Sequence, residues 1–150
     1  MLRFFLIFAV LCVSVLSSHS ARADEPPIYT SWHNNLAVGG YDIVSFYAGT
    51  PVEGKADFTV EYQGAEWQFS TQGNRDLFQT NPEVFLPQYG GYCAWAVAKG
   101  KLAKGSPQHF LLEDGKLYFN FNSRIQRRWN KKREDFIMRA DANWPEILND

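Results

Sequence analysis

Cysteine and histidine offer the most distinctive chemistry in this sequence, and both are scarce. The 150 residues include two cysteines, Cys12 and Cys93, and three histidines. Cys93 lies among glycines and aromatic residues in the segment Gln88-Tyr-Gly-Gly-Tyr-Cys-Ala-Trp-Ala96. A thiol in this setting is a small buried apolar group, a metal ligand or a nucleophile. We expect Cys93 to pack in the core, with metal ligation as the second interpretation and catalysis as the third.

A metal site would have to combine Cys93 with His109 or His33, because copper and zinc favour thiolate and imidazole ligands. No Cys-x-x-Cys or His-x-x-x-His spacing is present. The site would therefore form only if the fold gathers these distant residues, and its metal would be copper, with zinc less favoured. In the alternative interpretation, His33 is a surface residue and His109 is a loop residue beside Pro107.

Catalysis by Cys93 would need a lowered thiol pKa, which the N-terminus of a helix can provide. The pair Gly90-Gly91 and the apolar segment Tyr92–Ala98 place Cys93 in the first turn of a predicted short helix. No Gly-x-Ser-x-Gly elbow and no nucleotide-binding glycine motif occurs in the chain. We therefore expect a binding protein rather than an enzyme, and a thiol-dependent redox protein is the alternative.

The aromatic residues around Cys93 predict a binding pocket. Tyr89, Tyr92 and Trp95 surround this cysteine closely in sequence, and glycines lie between the two tyrosines. Aromatic rings offer a large apolar surface together with a polar phenol or indole group. We expect Tyr89, Tyr92, Cys93 and Trp95 to line a site for an unidentified small ligand or protein partner.

The N-terminus has the pattern of a secretory signal peptide. Arg3 precedes the apolar run Phe4–Leu16, and Ala21-Arg22-Ala23 provides a small-x-small cleavage site. The run is shorter than the about 20 residues that span a bilayer, so we expect cleavage and no stable membrane insertion afterwards. Cys12 would be removed with the signal peptide. The sequence thus predicts a signal peptide over residues 1–23 and a periplasmic or secreted protein.

The net charge of the chain that remains after removal of the predicted signal peptide limits its possible partners. The formal net charge of the whole sequence is −1, and removal of Arg3 and Arg22 makes the remainder more acidic. Nothing in this balance favours nucleic acid as a partner. One local basic cluster over residues 124–133 has the helical spacing of a solvent-exposed face, which is its expected role.

Two hairpins are predicted from alternating apolar residues and turn signals. Asp57–Phe69 alternates around the turn Gln63-Gly64. Phe110–Phe121 does so around Asp114-Gly115, and Asp-Gly suits a type I′ turn. Residues 24–35, rich in proline and acidic residues at their start, are predicted to be a flexible leader to a single domain over 36–148.

Short helices complete the predicted fold. Ser70 or Thr71 can cap a helix that ends before Pro82. Apolar residues spaced by four predict two further helices near the C-terminus, the second carrying Phe136 and Ala140. The expected class is α+β, with a small antiparallel sheet of two hairpins packed by short helices and closed by the two C-terminal helices.

Several segments, taken in their order along the chain, resemble the YHS domain family. Those shared with the family at large are Tyr41-Asp-Ile-Val-Ser-Phe-Tyr47, Tyr62-Gln-Gly-Ala-Glu-Trp-Gln-Phe-Ser70, Asn74-Arg-Asp-Leu-Phe78 and Asn81-Pro-Glu-Val-Phe85. Those that resemble its exported, single-domain branch are Gln88-Tyr-Gly-Gly-Tyr-Cys-Ala94, Asp114-Gly-Lys-Leu-Tyr118 and Ala140-Asp-Ala-Asn-Trp-Pro145. The resemblance implies a small α+β domain and supplies no catalytic residue.

The resemblance also implies something about metals. Metal-binding members of the family carry cysteines at positions where this sequence has Ser45, Ser70 and Asn74. Neutral hydroxyl and amide groups are poor zinc ligands. The expected fold is thus that of the family, without the cysteines that usually bind its metal.

Overall fold

The computed structural model describes residues 24–149, and the predicted signal peptide lies outside the described residues. Within that range no helix is long and apolar enough to span a membrane. The helices and strands follow along the chain in the order α1 Ile43–Tyr47, β1 Lys55–Tyr62, β2 Ala65–Phe69, α2 Gln72–Thr80, α3 Ala94–Val97, β3 Ser106–Glu113, β4 Lys116–Asn120, α4 Ser123–Lys131 and α5 Arg133–Asn143. Short 3-10 turns connect several of these elements.

Both predicted hairpins are confirmed. β1 pairs antiparallel with β2, and β3 pairs antiparallel with β4. The turn residues Gln63, Gly64, Asp114 and Gly115 all have positive φ, between 50° and 77°. Two successive positive φ values define the type I′ turn, whose twist matches that of the flanking strands. The local sequence therefore determined where each hairpin reverses.

The α+β class is confirmed, with one difference in how the hairpins associate. They form two separate two-stranded sheets rather than one shared sheet. Side chains join them instead: the ring of Phe46 in α1 packs edge-on against Phe110 in β3 at 5.1 Å and against Phe119 in β4 at 5.4 Å. Trp67 of β2 belongs to the same buried cluster. The hairpins thus meet through an aromatic core, not through backbone hydrogen bonds.

The buried residues form two adjoining clusters. The first lies between the hairpins, α1 and α2, and contains Phe46, Trp67 and Phe78. The second lies under the C-terminal helices, where fully buried Trp129 of α4 stacks on Phe136 of α5 at 5.9 Å. The predicted apolar faces of both C-terminal helices therefore do contribute to the core.

Helix caps explain where α2 and α4 begin. Thr71 Oγ1 accepts a 3.1 Å hydrogen bond from the amide of Asn74, and Asn122 Oδ1 accepts one of 3.0 Å from the amide of Ile125. Such caps satisfy amides that have no partner within the helix. α3 is shorter than the predicted segment Tyr92–Ala98, and Cys93 occupies its N-cap position with an extended backbone rather than its first turn.

Within residues 24–35, the segment makes contacts with the domain that the sequence did not predict. Ile28 is only 3% exposed, and the amide of Tyr29 donates a 2.9 Å hydrogen bond to the carbonyl of Gly90. A Cβ atom on Gly90 would lie 1.8 Å from the carbonyl oxygen of Pro27. Glycine at this position therefore permits the close approach of the two backbones.

Candidate functional site

Cys93 is held in place by backbone contacts on two sides. Its amide donates a 2.9 Å hydrogen bond to the carbonyl of Ala103, and it forms an isolated parallel bridge with Phe119 in β4. The residue as a whole is 1% exposed. Cys93 therefore belongs to the rigid interior between α3 and the second hairpin.

The environment of the Cys93 thiol favours its protonated form. Burial raises the pKa of Cys93, although nearby backbone amides, those of Ala96, Phe121 and Trp95, act in the opposite direction. The side-chain hydrogen-bond partner is Asn120, whose Oδ1 lies 3.9 Å from Sγ. An amide cannot take up the thiol proton as a general base would. The geometry thus provides no activation of Cys93 as a nucleophile.

An apolar pocket of about 260 Å³ opens beside the thiol, and we call it the Cys93 pocket. No charged side chain from residues 24–149 contributes to its wall. Its lining residues are Cys93, Trp95, Ala96, Ala103, Phe121 and Ile125. The sequence predicted Cys93 and Trp95 here, but Phe121 and Ile125 reach the same place only because β4 and α4 fold over α3.

Three exposed cations lie over two aromatic rings that line this pocket, and we call them the cationic rim. Lys99 Nζ lies 5.7 Å and Arg128 Cζ 6.0 Å from the centroid of the Trp95 ring. Lys104 Nζ lies 5.3 Å from the centroid of the Phe121 ring. None of the three cations belongs to an ion pair within residues 24–149. The pocket therefore has apolar walls, and two of its lining rings carry positive charges that no carboxylate within residues 24–149 pairs with.

The other two predicted pocket residues lie elsewhere. Tyr92 is buried, its ring packs edge-on against Tyr29 at 5.3 Å, and its hydroxyl donates a 2.9 Å hydrogen bond to the carbonyl of Pro26. Tyr89 lines a different and larger cavity of about 570 Å³, where its hydroxyl donates a 2.7 Å hydrogen bond to Asp141. The structure divides the predicted set, because neighbouring residues in this loop point into different parts of the core.

The predicted metal ligands are not gathered into a multi-ligand cluster. His33 is exposed and stacks on Trp32 at 3.5 Å. His109 is half-buried in the irregular stretch of β3 between its paired residues Ser106 and Phe110. No group of three or more His, Cys, Asp and Glu residues in the described chain could hold a metal ion. The described chain thus holds no three-residue group of this kind, and the pairing of Cys93 with His109 or His33 stays a prediction.

A polar cluster that the sequence patterns did not predict surrounds Asp42. This residue caps α1 and is completely buried. Its Oδ1 accepts a 3.0 Å hydrogen bond from the amide of Val44. Its Oδ2 accepts three more, from the amide of Ser70 at 2.9 Å, the hydroxyl of Ser70 at 2.6 Å and Nδ2 of Asn74 at 2.7 Å. Four donors thus satisfy one buried carboxylate.

Ser45 is the fourth residue of this polar cluster. Its hydroxyl donates a 2.6 Å hydrogen bond to the backbone carbonyl of Asp42 and accepts one of 2.9 Å from the amide of Val52. We call Asp42, Ser45, Ser70 and Asn74 the Asp42 cluster. It joins the start of α1 to the loop before β1 and to the start of α2.

Three members of the Asp42 cluster occupy the positions at which metal-binding relatives were expected to carry cysteines. Here the oxygen and nitrogen atoms of Ser45, Ser70 and Asn74 are engaged in hydrogen bonds to Asp42. One carboxylate with hydroxyl and amide neighbours lacks the thiolate and imidazole ligands that zinc and copper favour. The donor set does not suit such an ion, and the cluster is a hydrogen-bonded tie between elements.

The sequence contained one local sign of this tie. Aspartate is a preferred N-cap residue, and Asp42 directly precedes the apolar segment Ile43–Tyr47. Its partners Ser70 and Asn74 lie 28 and 32 positions away. No spacing rule connects residues that far apart, so only the fold could bring them together.

Comparison with known protein families gives one match. Residues 43–89 match the YHS domain, from the start of α1 to Tyr89. The search of curated proteins and that of solved structures each found no match. The matched segment holds α1, the first hairpin and α2, together with Ser45, Ser70 and Asn74 of the Asp42 cluster. The chain therefore contains a segment, residues 43–89, that matches the YHS domain.

Proposed function

We propose that this chain is an exported binding protein whose Cys93 pocket holds the apolar part of a small amphipathic anion. The observation that carries the proposal is the combination of an apolar cavity with the cationic rim. Export is supported by the N-terminal sequence, in which an apolar run precedes the cleavage pattern Ala21-Arg22-Ala23.

The walls of the Cys93 pocket determine the apolar half of the ligand. Each methylene group buried against such walls contributes about 0.8 kcal/mol. A volume of about 260 Å³ lies just below the range of about 300–1,000 Å³ that is usual for drug-sized ligands. A short alkyl chain or a single ring fits this space. The buried, protonated thiol of Cys93 acts here as one more apolar wall atom.

The cationic rim determines the charged half of the ligand. Lys99, Lys104 and Arg128 rest against aromatic rings rather than carboxylates. Cation–π contacts at exposed sites contribute only about 0.5–1 kcal/mol, so the three charges remain available to an anion at the pocket mouth. A carboxylate carried on an apolar chain satisfies both features at once.

Titration with octanoate, followed by calorimetry, tests the proposal. Ala103→Phe places a ring in the pocket and should abolish binding, whereas Ala142→Phe on the exposed face of α5 should leave it unchanged. Lys104→Gln should weaken binding several-fold, and Lys116→Gln, at an exposed position outside the rim, should not. 1-Octanol should bind more weakly than octanoate. The proposal is wrong if octanoate does not bind, or if it binds equally well to Ala103→Phe.

A further inference from the structure

The cavity beside Tyr89 differs from the Cys93 pocket in position and in charge. It has a volume of about 570 Å³ and lies where the N-terminal segment, the first hairpin and the end of the chain meet. Pro27, Gln63 and Trp144 contribute walls from these three regions. We call it the Tyr89 cavity. It shares no lining residue with the Cys93 pocket.

Two carboxylates give the Tyr89 cavity its charge. Asp141 and Glu83 line it, and no lysine, arginine or histidine among the described residues does. Neither carboxylate takes part in an ion pair within residues 24–149. The cavity therefore presents two negative charges without a counter-charge of its own.

Phenol groups hold both carboxylates in position. The hydroxyl of Tyr89 donates to Asp141 Oδ1 at 2.7 Å, and the hydroxyl of Tyr62 donates to Glu83 Oε1. Each bond uses one carboxylate oxygen and orients the group. Asp141 and Glu83 come from α5 and from the turn after α2, so the charges approach the cavity from two separate elements.

Aromatic surface lines the same cavity. The rings of Tyr89 and Trp144 both line the cavity, with centroids 6.1 Å apart and planes at 68°. Trp144 is half-buried, so part of its ring surface remains accessible. Tryptophan provides the most favourable ring face for a cation. Aromatic rings with nearby carboxylates are the surroundings that organic ammonium ions favour, because such ions combine an apolar surface with positive charge.

We infer that the Tyr89 cavity binds a small organic ammonium ion, with Trp144 as the ring contact and with Asp141 and Glu83 as the neutralising charges. This site is independent of the octanoate proposal, because the two cavities have different walls and opposite charge. Loss of one binding activity would leave the other intact.

Choline and its neutral analogue 3,3-dimethyl-1-butanol form a matched pair of probes, since they differ chiefly in charge. We expect choline to shift the ¹H–¹⁵N resonance of the Trp144 indole in a saturable manner, with that resonance assigned through Trp144→Phe. The neutral analogue should bind at least about tenfold more weakly, a difference of about 1.4 kcal/mol. Equal binding of both probes would show that charge plays no part and would overturn the inference.

Variants at the carboxylates test the same site without removing a ring. Asp141→Asn keeps an oxygen that can accept the Tyr89 hydrogen bond, and it should weaken choline binding several-fold. Glu83→Gln should do the same. Asp135→Asn, on another face of α5 and paired with Arg139, is the matched control and should leave choline binding unchanged. Absence of any saturable shift with choline in the parent protein would also refute the inference.

Discussion

The hydroxyl of Ser70 donates a 2.6 Å hydrogen bond to Oδ2 of Asp42, a carboxylate that has no exposed surface. The bond connects the start of α1 to the residue that follows β2. A buried charge is costly unless hydrogen bonds or counter-charges compensate it. Asp42 forms no ion pair within residues 24–149, so its four hydrogen bonds supply that compensation.

Replacement of Asp42 by alanine should strongly destabilise the protein. It removes the cap of α1, which contributes about 1 kcal/mol, and it deprives Ser70 and Asn74 of their acceptor. A fully buried donor left without a partner costs about 1–3 kcal/mol, and these half-buried donors should cost about 1 kcal/mol each. We expect the free energy of unfolding to fall by at least about 3 kcal/mol in urea denaturation.

Two further variants calibrate that experiment. Ser70→Ala removes one of the four bonds and should cost about 1 kcal/mol. Asp76→Ala replaces an exposed aspartate that pairs only with its neighbour Arg75, and it should change stability by no more than about 0.5 kcal/mol. If Asp42→Ala proved as mild as Asp76→Ala, the Asp42 cluster would not be a stabilising tie.

Metal removal should leave the stability unchanged. The side chains of Ser45, Ser70 and Asn74 hydrogen-bond to Asp42, and this set lacks the thiolates that would retain zinc. We expect the same Tm before and after dialysis against EDTA, measured by circular dichroism. A drop in Tm that added zinc or copper restores would contradict this expectation.

The Cys93 thiol should react slowly in the folded protein. Its residue is 1% exposed and its pKa is raised by burial, so little thiolate forms near neutral pH. We expect Ellman's reagent to label Cys93 orders of magnitude more slowly in buffer than in denaturant. Rapid labelling of the native protein at pH 7 would instead favour a thiol-dependent redox role.

Tyr92 should make the protein sensitive to alkali. Burial raises the pKa of Tyr92 from 10.0 to about 12, with the nearby charges of Glu25 and Tyr29 acting in the same direction. Between these two pH values the unfolded chain has released the phenol proton and the native protein still holds it. The unfolded state then binds fewer protons, so the free energy of unfolding falls as the pH rises through this interval.

Tyr92→Phe isolates this effect. The variant keeps the ring but loses the hydrogen bond to Pro26, so it should be about 1 kcal/mol less stable at pH 7. Its stability should decline less steeply than that of the parent between pH 10 and 12, as measured by urea denaturation at several pH values. Equal slopes in both proteins would show that Tyr92 is not the group responsible.

Turns and caps were predictable because their physical causes are local. Gln63-Gly64 and Asp114-Gly115 tolerate positive φ, and Thr71 offers its oxygen to an amide three residues later. These interactions involve neighbours in the chain, so composition and spacing were sufficient to identify them.

The candidate site was only partly predictable. Cys93 and Trp95 do share a pocket, but Tyr89 and Tyr92 take part in other contacts. Side-chain direction in an irregular loop depends on backbone angles that sequence does not specify. Tyr89 has a positive φ of 55°, which is uncommon for a non-glycine residue.

The sequence by itself determined the two hairpins, the α+β class and the kinship with the YHS domain, since these depend on periodicity, turn residues and ordered motifs. Only the tertiary structure decided that Asp42 meets Ser70 and Asn74, and that Phe121 and Ile125 enclose Cys93. Contacts between residues far apart in the chain form when the two apolar clusters pack, and that packing is a property of the whole chain.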